Sequence, residues 1–272
     1  MIFTPIAGGL GDVLTYFLDG ELGYFRAAKR LGYTTKVVVW SVSDQARSVF
    51  EGHPDIDEID MRAFAPVAHM TDIFRSYAAS VVPQARLMTD TERAEIPWVR
   101  PEFHLTPDEA EIARRIEAGA PYVAVHPFAG KPERDLVRAG IARSVVEAAA
   151  SDGRRVVVLG GDSLRNGRPI KESFESNNPN VISLVNKFSV RLQAHVASRA
   201  AKFIGSVSCY NCVAQSCGVP ALVFGSAGNR YDMTHGGSVF KKMRDNGTPV
   251  HYLDRRPDLF GDLVREFCRD CR

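Results

Sequence analysis

Cysteine is missing from the first three-quarters of this chain. The five that occur, Cys209, Cys212, Cys217, Cys268 and Cys271, are an odd number gathered near the C-terminus. That distribution is not a disulfide framework and fits reduced thiols. There is no apolar run long enough to cross a bilayer, and the N-terminus enters a strand without a basic leader. A cytoplasmic location without stable membrane insertion is therefore expected. Neither sign of charge dominates: 34 basic residues face 32 acidic ones, a net charge of +2, so bulk electrostatics select no particular partner. Internal repeats and low-complexity segments are absent as well. What is present is ordinary for a globular protein, with 45% hydrophobic and 24% charged residues. A chain of 272 residues is comfortable for two domains of usual size.

The opening stretch organises the rest. Met1 to Ile6 is an apolar run that leads into Ala7-Gly8-Gly9-Leu10-Gly11-Asp12-Val13. Beyond it, Leu14, Phe17, Leu18, Leu22, Phe25 and Ala28 recur at helical spacing and predict one buried stripe. Strand, glycine-rich turn and helix is the first unit of a nucleotide-binding α/β fold. The glycines let backbone approach a ligand, and the first helical amides form an anion or hydroxyl site. The spacing is not that of the dinucleotide fingerprint G-x-G-x-x-G.

Further strands are predicted at Thr35 to Trp40, Ile56 to Met61, Tyr122 to His126, Arg155 to Leu159, Val181 to Leu184, Ala201 to Gly205, Ala221 to Phe224 and Val250 to Leu253. Helices are predicted at Ser43 to Phe50, after the Thr106-Pro107-Asp108-Glu109 start signal, at Leu136 to Ala150, at Val190 to Arg199, up to Cys217, and at Pro257 to Phe267. Prolines 66, 83, 97 and 101 break the region between, and the linker is placed at Ile96 to His104. This gives an N-terminal domain over residues 1–100 and a C-terminal one over 101–272. The alternation of strand and helix predicts an α/β protein with two parallel sheets, each covered by helices on both faces.

Ligands in such sheets bind beyond the carboxyl ends of strands. Small and polar residues collect there: Gly8 to Asp12, His126 to Lys131, Gly160 to Asp162, Ser206 to Asn211 and Gly225 to Gly228. These ends predict two Rossmann-like domains facing a cleft. Several residues also have plainer roles open to them. Asp12 is placed to stabilise the helix dipole, Ser206, Ser208 and Asn211 are good caps, and Lys131 suits a solvated loop. Asp55-Ile56-Asp57 has the form of a metal-holding D-x-D, but beside Glu58 and Asp60 it reads as an acidic turn, and no metal site is assigned. Cys209-x-x-Cys212 and Cys268-x-x-Cys271 count the four thiols of a structural zinc, but 55 residues separate the pairs.

Gly11-Asp12-Val13-Leu14, His126-Pro127-Phe128-Ala129-Gly130-Lys131 and the unit from Phe203 to Phe224 resemble the corresponding segments of GT-B glycosyltransferases, most closely glycosyltransferase family 9, the heptosyltransferase-like enzymes. Gly8-Gly9-Leu10-Gly11-Asp12-Val13 also resembles the GGLGDV loop of bacterial glycogen synthases, without their preceding lysine. The resemblance implies a GT-B-like fold with an acceptor-binding N-terminal domain and a nucleotide-sugar-binding C-terminal domain. It implies an inverting, metal-independent transferase that needs no cofactor beyond its donor substrate. Asp12 is the implied catalytic base. Gly9, Gly11, His126, Gly130, Lys131, Gly161, Asp162, Ser206, Ser208, Asn211 and Gly225 are the implied substrate and donor contacts. At one turn the chain departs from the pattern Asp-Thr/Ser-Gly with a following histidine: Val207, Ser208, Cys209 and Cys212 stand there. The acceptor stays open among glycan, lipid, protein and modified nucleic acid. A sugar-nucleotide epimerase or hydrolase, or an inactive nucleotide-sugar-binding protein, are the alternatives.

Overall fold

A computed structural model describes residues 1–8, 13–14, 22–41, 45–63, 102–129, 135–137, 140–161, 163–165, 168–206, 208–224, 250–253 and 260–271. The chain divides into two compact units, Met1–His104 and Leu105–Arg272.

In the first unit, β1 (Ile2–Gly8), β2 (Thr35–Ser41) and β3 (Glu58–Ala63) pair in parallel in that order. Their connections carry α1 (Leu22–Arg30) and the short α2 (Ala46–Phe50). Val37 to Val39 are fully buried, as a nearly continuous apolar run requires when both faces of a parallel sheet are covered. Of the predicted stripe, Leu14, Phe25 and Ala28 are fully buried, while Phe17 and Leu18 lie outside the described residues. Gly32, at φ +79°, supplies the left-handed residue that ends α1.

The second unit is built on six parallel strands. β4 (Tyr122–His126), β5 (Arg155–Val158) and β8 (Val181–Ser183) run to one side. β9 (Lys202–Ser206), β10 (Ala221–Phe224) and β11 (Val250–Leu253) run to the other, giving the spatial order β11-β10-β9-β4-β5-β8. The order therefore reverses between β4 and β9. The described helices of the unit are α3 (Pro107–Glu117), α4 (Ala142–Ala149), α5 (Val190–Arg199), α6 (Cys209–Ser216) and α7 (Phe260–Cys268). The core joins β4, β5, β9 and β10 to α4 and α7 through residues such as Val125, Val146, Val158, Ile204, Phe224, Phe260 and Val264.

Two segments differ from the sequence reading for identifiable reasons. The helix expected from Leu136 begins only at Ala142, because Gly140 takes φ +71° and the Leu136 carbonyl receives both Ile141 N–H and Ala142 N–H in a turn. Between β5 and β8 the described residues form no helix. The chain makes an antiparallel hairpin, β6 (Ser163–Arg165) with β7 (Arg168–Ile170), which the sequence reading missed. An extended strap follows, in which exposed Lys171, Ser173 and Glu175 alternate with less exposed Glu172, Phe174 and Ser176. Phe174 packs on the core, and Ser176 and Asn178 hydrogen-bond to Glu147 of α4.

Glu109 fastens α3 to α5. Thr106 and Glu109 form a reciprocal capping box at the start of α3. The same carboxylate accepts from the hydroxyl of Ser189, the N-cap of α5, and pairs with Arg191 at 2.8 Å. Burial acts to raise its pKa, but the bonds from Ser189 and the Thr106 N–H and the Arg191 charge outweigh it and hold the carboxyl below its ordinary value. A depressed pKa of this kind stabilises the fold above the carboxyl's unfolded value, and the contribution is lost as pH falls through the folded one. Glu109→Gln removes the charge that faces Arg191, 5% exposed, which costs about 1.5–3 kcal/mol at neutral pH, the range for hydrogen bonds to charged groups. Denaturant unfolding should show that loss shrinking below about pH 4; a gap that stays constant into acid would contradict the ionic account.

Candidate functional site

A reversal of strand order leaves an opening at the carboxyl ends of the two diverging strands, because their following connections go to opposite sides. In the second unit those strands are β4 and β9, ending at His126 and Ser206. They touch closely: His126 is in register with Gly205, and a Cβ added to Gly205 would lie 2.4 Å from the His126 carbonyl oxygen. Ser206 adds a bond from its Oγ to the Pro127 carbonyl at 3.3 Å.

Across this seam the His126 Nδ1 and the Ser208 Oγ are 2.9 Å apart. Ser208 is the N-cap of α6, and its Oγ also accepts the Asn211 N–H at 3.4 Å. The imidazole stands edge-on to Tyr210 (ring centroids 4.8 Å apart) and Phe128 (5.9 Å). Burial lowers the His126 pKa to about 3, so the ring is neutral at physiological pH. The Cys209 thiol, next along, is pushed up to about 12 by burial and by Cys212. It is an inert thiol and no thiolate nucleophile.

His126, Ser206, Ser208 and Asn211 thus gather at one place. Asn211 does so through its backbone, since its Oδ1 receives Gln215 Nε2 at 2.6 Å. Gly161 lies half-buried just past the end of β5. Gly9, Gly11, Asp12, Gly130, Lys131, Asp162 and Gly225 fall outside the described residues.

Beside this cluster stand Gly160, already read as part of the Gly160 to Asp162 strand end, and two residues not singled out from sequence, Gln193 and Glu172. Gly160 follows β5, and a Cβ there would strike the Phe128 ring at 2.5 Å. Gln193 of α5 is fully buried and accepts the Gly160 N–H at 2.7 Å, fixing the exit from β5. Glu172 arrives on the strap, 6% exposed, with its Oε2 3.4 Å from that same Cβ position. A lone glutamate in a polar stretch carries no sequence signal of burial.

The acidic turn Asp55-Ile56-Asp57 lies at strand amino ends. Asp57 accepts the N–H of Thr35, the first residue of β2, at 2.8 Å and pairs with Lys29 at 2.5 Å. Asp55 pairs with Arg26 at 3.0 Å. This D-x-D ties α1 to the amino ends of β2 and β3. The two C-x-x-C pairs sit at opposite ends of their sheet. Cys209 and Cys212 follow the carboxyl end of β9, whereas Cys268 and Cys271 lie near Arg154 and Lys202, at the amino ends of β5 and β9. Among the described residues, no three His, Cys, Asp or Glu side chains gather as metal ligands. No helix among them is long and apolar enough to cross a membrane.

No family model matches the sequence, and no curated protein matches it either. Solved structures do match the fold. The ADP-heptose lipopolysaccharide heptosyltransferase II of E. coli superposes with a TM-score of 0.56 at 10% identity, covering 97% of this chain and 97% of that one. The E. coli heptosyltransferase WaaC with ADP gives 0.54 at 11% identity over 100% and 99%. A family 9 glycosyltransferase from Veillonella parvula DSM 2008 gives 0.52 at 15% identity over 82% and 80%. The chain therefore has a GT-B-like fold of two Rossmann-like units with parallel sheets, and in fold it resembles the heptosyltransferases.

The seam between β4 and β9 yields a test of its own. Gly205→Ala places a methyl against strand backbone, which has no rotamer to move, and should cost about 1–3 kcal/mol in denaturant unfolding. A change under about 0.5 kcal/mol, the size usual for neutral surface changes, would show that the seam spreads freely.

Proposed function

We propose that this protein is a glycosyltransferase that moves a sugar from a nucleotide-sugar donor to an acceptor hydroxyl, inverting the anomeric centre without a metal. The observation that carries the reading is the place where the sheet order reverses. There a capped helix start, a serine and a buried histidine meet, in a fold that matches nucleotide-sugar transferases along nearly the whole chain.

In this reading the C-terminal domain, residues 101–272, holds the donor. Lys131, Ser206, Ser208 and the first amides of α6 surround the diphosphate, with His126, Gly130, Gly161, Asp162, Asn211 and Gly225 completing the contacts. Backbone N–H groups and one ammonium aimed at the leaving diphosphate stabilise the charge that develops there, which is the part a metal plays elsewhere. That assignment is supported by the D-x-D turn, whose carboxylates are committed to Arg26, Lys29 and Thr35. The N-terminal domain, residues 1–100, binds the acceptor, with Gly9 and Gly11 shaping the loop. Asp12, ionised at neutral pH, takes the acceptor proton as the oxygen attacks an oxocarbenium-like anomeric carbon.

The experiment begins with a thermal-shift panel of ADP, UDP and GDP and their sugars. A ligand at 100 times its Kd adds about 2.7 kcal/mol, which is readily seen. Lys131→Ala should weaken binding of the preferred diphosphate by about 1.5–3 kcal/mol; wild-type affinity in that variant would mean the diphosphate lies elsewhere.

Turnover is then measured in EDTA with the donor so identified. Asp12→Asn should lower transfer by about 10²–10⁴ with diphosphate affinity near wild type, because general-base assistance is absent from donor binding. Normal turnover in Asp12→Asn would reduce Asp12 to a helix-start carboxylate. Donor hydrolysis without acceptor would favour a hydrolase, and tight binding with no turnover a binding protein.

A further inference from the structure

Ser208 is the hinge of the site, and its oxygen has two calls on it. As N-cap of α6 it accepts the Asn211 N–H, but at 3.4 Å, which is long for a capping bond. Its shorter bond, 2.9 Å, runs to His126 Nδ1 on the neighbouring strand. A hydroxyl that accepts from a backbone amide has its own proton left to place, and among the described residues His126 Nδ1 is the acceptor that receives it. The ring is held for that purpose. It stands edge-on to both Tyr210 and Phe128, and its own backbone is locked against Gly205.

We propose that His126 is a positioning residue of the donor site: as the neutral Nε2–H tautomer it accepts the Ser208 hydroxyl proton at Nδ1, and so fixes the cap that presents the first turn of α6 to a nucleoside diphosphate. This inference rests on the reading of the strand ends given under Proposed function. Cys212 N–H is spent on the Ser208 carbonyl and Asn211 N–H on the cap, which leaves, among the described residues, those of Cys209 and Tyr210 for a ligand. Both face the Cys209 sulfur, a weak acceptor that a phosphate oxygen displaces. The imidazole therefore acts by hydrogen-bond direction and contributes no positive charge. Burial keeps it neutral across the physiological range, consistent with that role.

The test uses the full chain and whichever of ADP, UDP and GDP binds wild type most tightly, by calorimetry. His126→Phe keeps an aromatic wedge and loses the acceptor. His126→Asn places an amide oxygen near the Nδ1 position. His126→Phe should weaken diphosphate binding about five- to tenfold, the worth of one oriented hydrogen bond. His126→Asn should recover to within about twofold of wild type. Ser208→Ala in the His126→Phe background should add little beyond Ser208→Ala alone. The ratio of the His126→Phe and wild-type dissociation constants should stay flat between about pH 5.5 and about pH 8, since ligand titration cancels and a neutral ring does not titrate there. In wild-type protein, the ¹⁵N signals of the His126 ring should show a non-titrating Nε2–H tautomer, a readout that needs no variant to fold.

Equal losses in His126→Asn and His126→Phe would overturn the inference. So would an inflection of the ratio near about pH 6.5, or ring nitrogens that titrate. Binding by wild type with no loss in His126→Phe overturns this inference alone. Failure of wild type to bind any of the three diphosphates overturns the donor-site reading and this inference with it.

Discussion

The parallel pairing of β4 with β9 is the constraint on which the C-terminal unit depends. Two further strands extend from β4 on one side and two from β9 on the other, so this one ladder joins two halves that are otherwise built separately along the chain. The pairing is tight enough that the residue facing His126 has to be glycine, because a methyl group there meets strand backbone. The same ladder opens at its carboxyl end, where β4 continues toward α4 and β9 turns directly into α6. Stability and the candidate site therefore draw on one contact. A change that spreads the seam disturbs the fold and the alignment of His126 with Ser208 together.

Around that opening the protein uses direction more than charge. The described groups nearest the seam are a neutral imidazole, two serine hydroxyls, an un-ionised thiol and backbone amides, with the buried Glu172 carboxylate one strand away. Ion pairs are instead spent on fastening elements, at Glu109 with Arg191 and at Asp55 and Asp57 with α1. Fixed dipoles in a buried setting stabilise an anion without reorganising when charge develops. A lysine beside such an array, as proposed for Lys131, then supplies the one mobile charge.

Much of this was legible in the residues. Runs such as VVVW, YVAVH and RVVVL predict buried parallel strands, and all three lie in sheets. Thr106-Pro107-Asp108-Glu109 predicts a capped helix start and forms one. The helix start at Ser208 is local chemistry and could be read as well. What could not be read is whatever depends on distant partners. The strand order that puts β4 beside β9 has no local signature. Nor does the bond between His126 and Ser208, 82 residues apart in the chain. Glu109 read as part of an acidic first turn, and its bonds to Ser189 and Arg191 appear only once α3 and α5 are packed. The helix expected at Leu136 lost to Gly140, whose left-handed turn competes successfully with the following helical pattern.

The connection from β5 to β8 shows how far the chain departs locally while keeping the global arrangement. A parallel crossover is usually a helix, because a helix buries one stripe on the sheet and satisfies its own backbone. Ser176-Asn177-Asn178-Pro179-Asn180 is poor helix material, rich in residues whose side chains compete for backbone bonds and ended by proline. The strap solves the same problem differently. Its alternating pattern gives one side to the core, with Phe174 as the apolar anchor. Its polar side chains bond outward to α4 and to its own turns, through Ser176 and Asn178 to Glu147 and Asn178 to the Asn180 N–H. An extended strap turns a side chain to the same side at every second step. Here that spacing sets Glu172 beside Gly160, at the carboxyl end of β5 and one strand from the seam. The replacement of a helix by a strap thus leaves the sheet order intact and changes which side chains stand at the rim of the candidate donor site.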